Sequence, residues 1–218
     1  MNKKQLAIKI ISLTINLFLF TSSMVTFFRI FFAPEGDIAL FRYFTNLCNI
    51  YMGIVSLIIF VYLCIRFKKE FYIPKWLRIM ELSGVTSVIL TLLTVICFIA
   101  PITINSGSNF FDLYKNDMFF FHLLNPILSF IVFLFLVKGD KLNYKEDILG
   151  MIPMVLYSTV YTILILAHVW DDFYGFTFGG QLWSLPLALL VMFTITYLIS
   201  FFTSFIYNKL SRYVEKNG

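Results

Sequence analysis

Long apolar stretches separated by short charged ones dominate the chain. Lys9 to Arg29 encloses no charge, nor do Arg42 to Arg66, Glu81 to Asp112, Asp117 to Lys138, Asp147 to Asp171 and Asp172 to Lys209. Each interval is about as long as, or longer than, the roughly 20 largely apolar residues that a helix needs to cross a bilayer. The pattern predicts an all-α polytopic membrane protein, a single transmembrane domain over residues 1–218. Its six spans fall near 10–31, 43–65, 80–104, 118–138, 148–168 and 182–207. The Gly-rich start of the last interval reads as loop. The N-terminal apolar run is too long for a secretory signal and lacks a small-residue cleavage site, so it reads as the first span.

Composition agrees. Of 218 residues 60% are hydrophobic and 13% charged, with 27 Phe and 12 Tyr, and mean hydropathy is +0.86. An ordinary soluble domain is about a quarter charged, so a soluble globular enzyme, a disordered chain and a disulfide scaffold are excluded. The net charge of +5 is small and spread over several connections, which argues against nucleic-acid binding. Cys48, Cys64 and Cys97 all fall inside spans, where thiols behave as small hydrophobes. No metal site and no cofactor motif is read.

Charge sets the orientation. Lys3, Lys4 and Lys9, then Arg66, Lys68, Lys69, Lys75 and Arg78, then Lys138, Lys141 and Lys145, then Lys209, Arg212 and Lys216 fall on one side. Only Arg29, Arg42 and Lys115 fall on the other. Lys and Arg concentrate in cytoplasmic connections, so both termini are expected in the cytoplasm. The stretch 66–78 reads as a basic connection against the inner leaflet. Pro101, Pro126, Pro153 and Pro186 lie in or near spans 3 to 6 and are expected to introduce kinks.

With that orientation the polar residues gather at the outer face. Thr45, Asn46 and Asn49 lie at the head of span 2, and His122 and Asn125 at the head of span 4. His168 ends span 5, ahead of a loop holding Asp171 and Asp172. Thr45 and Asn49 are spaced i, i+4 and His122 and Asn125 i, i+3, so each pair shares a helix face. A Thr hydroxyl becomes nucleophilic when a neutral His takes its proton. Asn amides can hold the resulting oxyanion, and an Asp can orient the His. Tyr157 and Tyr161, again i, i+4, can add a hydroxyl to the same cavity. Plainer roles compete: a span Thr usually bonds the carbonyl four residues back, Asn commonly links helices, and His168 beside Trp170 fits an interfacial belt.

The order of these motifs resembles a known family. Phe41-Arg-Tyr-Phe-Thr-Asn-Leu-Cys-Asn49 resembles the Phe/Tyr-x-Thr-x-x-x-Asn element of the androgen-induced-protein family of six-span membrane threonine hydrolases. His122-Leu-Leu-Asn-Pro126 resembles the His-to-Pro element of its bacterial members. Pro153, Tyr157, Tyr161 and Asp172-Phe-Tyr-Gly-Phe176 resemble their Pro/Tyr helix and aromatic Asp loop. The resemblance implies a hydrolase of fatty-acyl esters with Thr45 as nucleophile and His122 as base. Asn46, Asn49, Asn125, Tyr157, Tyr161, Asp171 and Asp172 would support them, with membrane lipids as surroundings and a fatty-acyl ester as substrate. The segment 105–117 and His168 depart from the pattern. The wealth of Phe, Ile, Lys and Asn resembles an AT-rich bacterial coding sequence, which would place the chain in a bacterial cell membrane. A small transporter or channel, and a non-catalytic protein binding lipid or a partner, are the competing readings; one-sided polar groups argue against transport, whose sites lie near the midplane.

The topology expectation has a direct check. Green fluorescent protein fused after Gly218 is expected to fluoresce in a bacterial host, whereas alkaline phosphatase fused there is expected to be inactive. The reverse pair of signals would invert the orientation.

Overall fold

The computed structural model describes residues 3–33, 38–69 and 72–217, and among them it is helical with no strand. Six helices are long and apolar enough to cross a membrane. They are α1 (Lys3–Phe31), α2 (Phe44–Ile65), α3 (Lys75–Asn105), α4 (Asp117–Leu136), α5 (Tyr144–Leu166) and α6 (Leu185–Asn217). In lipid no water is at hand for backbone polar groups, so a helix, which satisfies them internally, is the form such runs must take. Large apolar side chains remain exposed along the outside, Leu156, Ile163 and Leu190 among them. That surface suits lipid and would be an aggregation hazard in water.

α1 lies along α2, and α2 along α3. α4 packs against α1 and α3, α6 packs against α3, and α5 closes against α2, α3 and α6. Small residues permit the closest approach. A Cβ on Gly53 would stand 2.8 Å from the Ser23 Cβ, which is how α1 and α2 come together.

Proline shapes two helices and only begins two others. Pro101 and Pro126 cannot donate to the carbonyls four residues back. Just ahead of each the helix widens into a π-turn, at Val95–Ile99 and Phe120–Leu124. The Ala100 and Asn125 N–H groups then reach the carbonyls of Val95 and Phe120, five residues back. Pro153 sits in the first turn of the helix Ile152–Leu166, and Pro186 is the second residue of α6. At those positions the missing N–H is harmless; ahead of Pro153 the helix is interrupted at Gly150 and Met151.

The end of the bundle bearing Lys9, Arg66 and Lys138 is knotted together. Lys9 Nζ donates to the Phe67 carbonyl at 2.9 Å. The Ile73 N–H donates to the Lys138 carbonyl at 2.9 Å. The Tyr207 hydroxyl donates to the Gly139 carbonyl at 2.7 Å and accepts its N–H at 2.9 Å. Asn208 exchanges two hydrogen bonds with the backbone of Leu142.

Arg78 lies beneath this knot, and here the structure corrects the sequence reading. The residue belongs to α3 and is fully buried, not part of a basic connection. Its Nη1 donates to Glu81 Oε2 at 2.6 Å and its Nη2 to the Phe133 carbonyl at 2.7 Å. Its guanidinium sits 3.7 Å from the Phe133 ring centre and 3.8 Å from that of Tyr207. Glu81, also buried, neutralises it. A charge that is paired, hydrogen-bonded and stacked on rings can sit inside a span. For this reason α3 begins at Lys75, ahead of the expected residue 80.

Removing one member of this pair strands the other. Arg78→Ala or Glu81→Ala is expected to cost about 3–5 kcal/mol. The double replacement Arg78→Met with Glu81→Leu is expected to regain most of that. Thermal unfolding in detergent reads the difference, and equal losses in all three variants would contradict it.

Candidate functional site

At the end of the bundle away from Arg78, α2 begins at Phe44 after the extended residue Tyr43, with no side-chain cap. A helix leaves its first N–H groups without internal partners. Here the Phe44 N–H donates to the Tyr174 hydroxyl at 3.0 Å. Those of Asn46 and Leu47 donate to the Tyr43 carbonyl at 3.1 and 3.3 Å. Among the described residues the Thr45 N–H and hydroxyl have no hydrogen-bond partner. Thr94, Thr159, Thr194 and Thr196 each donate to the carbonyl four residues back, whereas the Thr86 and Thr162 hydroxyls share the lack of a partner among the described residues. As second residue of its helix, Thr45 has no such carbonyl within α2.

His122 lies in the π-turn of α4 and is half-buried. Its Nδ1 stands 3.0 Å from the Leu113 carbonyl. A carbonyl only accepts, so Nδ1 carries the hydrogen and Nε2 keeps its lone pair. The turn Phe110–Tyr114, a 3-10 helix, presents that carbonyl.

Asn49 joins the two helices. Its Nδ2 donates to the Thr45 carbonyl at 2.9 Å and to the Phe121 carbonyl at 3.3 Å. One nitrogen therefore holds the turn bearing Thr45 beside the residue preceding His122. Asn125 extends the clasp. Its Nδ2 donates to Asn49 Oδ1 and Ser23 Oγ, each at 3.2 Å, and its Oδ1 accepts the Ser22 hydroxyl at 2.8 Å. Asn49 and Asn125 are 0% and 1% exposed, so both serve as interhelical links. Asn46 donates one amide hydrogen to the Leu40 carbonyl at 2.9 Å and retains a second.

The remaining expected residues are engaged elsewhere. The Tyr157 hydroxyl donates to the Arg42 carbonyl. The Tyr161 hydroxyl donates to Asp172 Oδ1 at 2.9 Å and accepts the Tyr174 N–H at 2.9 Å. Asp172 also accepts the Phe176 N–H at 2.9 Å, and both the N–H and hydroxyl of Thr177 at 2.6 Å. It organises its own loop and makes no bond to a histidine. Asp171 is exposed. His168 is exposed, with φ +52°, and its N–H donates to the Ile165 carbonyl at 2.9 Å to end α5. No hydrogen bond joins Thr45 to His122 among the described residues. The Leu113 carbonyl stands where an orienting Asp was expected. The Asn109-x-x-Asp112 spacing signals the turn that presents this carbonyl, but not the carbonyl's pairing with His122.

Among the described residues no three His, Cys, Asp or Glu gather into a metal site. An apolar groove of about 360 Å³ between α3, α4 and α6 is lined by Ile89, Leu93, Phe130 and Leu198, and includes neither Thr45 nor His122. Comparison with protein-family models, curated proteins and solved structures finds no match to the chain.

The Asp172 loop is expected to respond to pH. Burial alone would raise its carboxyl, but the hydrogen bonds from Thr177, Phe176 and Tyr161 outweigh it and hold the carboxyl below its ordinary value. The carboxylate's contribution to stability is therefore complete above an ordinary Asp value of about 4 and is lost as pH falls through the lower folded value. Amide exchange at Phe176 and Thr177, taken relative to an unfolded peptide at the same pH, is expected to accelerate on acidification below about pH 4. In Asp172→Asn it is expected to be fast throughout; wild-type-like protection in that variant would contradict the assignment.

Proposed function

We propose that the chain is an integral-membrane lipid-ester hydrolase, with its basic end in the cytoplasm and Thr45 and His122 acting at the opposite face. The Asn49 clasp carries the reading. Beside it are an unengaged hydroxyl on α2 and an unengaged imidazole nitrogen on α4, among polar neighbours already bonded to one another. The motif resemblance supports the same pair.

In the reaction, Thr45 Oγ attacks the carbonyl carbon of a fatty-acyl ester while His122 Nε2 takes the hydroxyl proton. The tetrahedral oxyanion lies at the positive end of α2. There the Thr45 N–H and the second amide hydrogen of Asn46 can donate to it. Collapse breaks the bond to the leaving alkoxide, which takes the proton from Nε2 and departs as alcohol. Water then attacks the acyl-threonine and gives its proton to Nε2. The second collapse frees the fatty acid and returns that proton to Thr45 Oγ. Nε2 must come within hydrogen-bond reach of Oγ once substrate is seated; free enzymes often hold such pairs apart.

A long-chain fluorophosphonate, which phosphonylates activated hydroxyls, tests the pair. Wild type in detergent is expected to label at Thr45, as mapped by mass spectrometry. Thr45→Ala is expected to abolish labelling, and His122→Ala to slow it about 10²–10⁴-fold. Folded wild type without adduct, or with adduct elsewhere, would sink the proposal.

A further inference from the structure

The imidazole of His122 touches a loop that departs from the resembling family. The 3-10 turn Phe110–Tyr114 is locked at its start by a reciprocal pair of bonds. The Asn109 side chain accepts the Phe111 N–H at 2.9 Å, and Asp112 Oδ2 accepts the Asn109 N–H at 3.3 Å. The Asp112 N–H returns to the Asn109 carbonyl at 3.0 Å. Lys115 pairs with Asp112 at 2.7 Å. Asn116, at φ +52°, then turns the chain into α4. With ψ at −126° this lies outside the left-handed helical well, in a conformation that glycine adopts most readily.

The last carbonyls of a helical turn lack partners within it. The Asp112 carbonyl takes the Lys115 N–H at 3.4 Å. The Leu113 carbonyl takes His122 Nδ1 at 3.0 Å. The bond spans nine residues and joins the loop to a ring that is itself fixed in a π-turn. An imidazole has one hydrogen to place on two nitrogens. A carbonyl held against Nδ1 decides that placement, and leaves Nε2 as the acceptor.

We propose that Asn109 and Asp112 are positioning residues for His122: the turn they lock holds the Leu113 carbonyl against Nδ1 and thereby keeps Nε2 as proton acceptor. The catalytic meaning of this assignment rests on the proposed hydrolase reading; the control of the tautomer does not. The orienting acceptor is a backbone carbonyl, and substitution cannot remove it directly. Its control passes to the two side chains that shape the turn. Both lie in a loop exposed to solvent, so changing them leaves the packed interior untouched.

The experiment uses the full chain in lipid nanodiscs with ¹⁵N-labelled histidine. The chain holds only two histidines, and His168→Gln leaves the signal of His122 alone. In this background Nδ1 is expected to be protonated and Nε2 to carry the lone pair in the dominant species at pH 8. Asn109→Ala with Asp112→Ala is expected to give a mixture of both tautomers, and to slow fluorophosphonate labelling of Thr45 roughly tenfold, the worth of one hydrogen bond. Asn109→Asp retains the accepting oxygen and is expected to keep both the wild-type tautomer and the wild-type rate. An Nε2-protonated wild type would overturn the proposal, as would a tautomer ratio that the double variant leaves unmoved. An unchanged labelling rate in a double variant with mixed tautomers would overturn the positioning role. Tautomer results as expected, in a wild type that never labels, would uphold the control of His122 and remove the hydrolase reading alone.

Discussion

A guanidinium inside an apolar bundle is the constraint around which one end of this protein is arranged. Left alone, a buried charge is too costly for a marginally stable fold to carry. Arg78 therefore needs Glu81 at one nitrogen, the Phe133 carbonyl at another, and the rings of Phe133 and Tyr207 close beside it. Those partners come from α3, α4 and α6. The residue draws three helices to one point and sets their relative height. Gly139 fits over it because a Cβ there would stand 3.2 Å from Arg78 Cγ and Cδ. The Phe133 carbonyl lies within the last π-turn of α4, Val132–Leu136, where wider winding alters the usual pairing to the N–H four residues on.

The opposite end follows a different logic. Its polar groups form linked pairs rather than a single buried charge. Ser22, Ser23, Asn49 and Asn125 satisfy one another across α1, α2 and α4. Tyr161, Asp172, Thr177 and Tyr174 do the same between α5 and its loop. Such closed networks rigidify a bundle because every broken bond strands a buried group. Thr45 and the Nε2 of His122 stand apart from both networks. Groups that neither network uses are where chemistry can be accommodated without dismantling the fold.

The six helices of membrane-crossing length were legible in the sequence because charge-free length is a direct consequence of bilayer thickness. The exact ends were less so. Charges bounded the expected spans, yet Arg78 and Glu81 lie within α3, since pairing hides them from lipid. The helical spacing of Thr45 with Asn49, and of His122 with Asn125, anticipated shared faces. It did not reveal that the Asn amides bind helices together, a matter of which helix stands opposite. Asp172 looked available to a histidine because the topology placed both at the same membrane face. In the structure it is taken up by the backbone N–H groups of Phe176 and Thr177. The partner of His122 is a main-chain carbonyl, which no residue type announces.

The π-turn at Phe120–Leu124 divides α4 into two frames of reference. Before it lie Asp117, which pairs with Arg29 at 3.2 Å, and the loop junction; after it lie Asn125 and the face that meets Asn49. An α-helix turns about 100° per residue, so a widened turn re-aims everything upstream against everything downstream. Excising a single residue there would leave the composition of α4 almost unaltered. It would swing the head of the helix by about a quarter of a revolution, moving the Phe121 carbonyl that Asn49 holds and the imidazole next to it, while the Asn125 bonds below stayed in register. The functional geometry of this helix thus resides in its residue count as much as in its residue types.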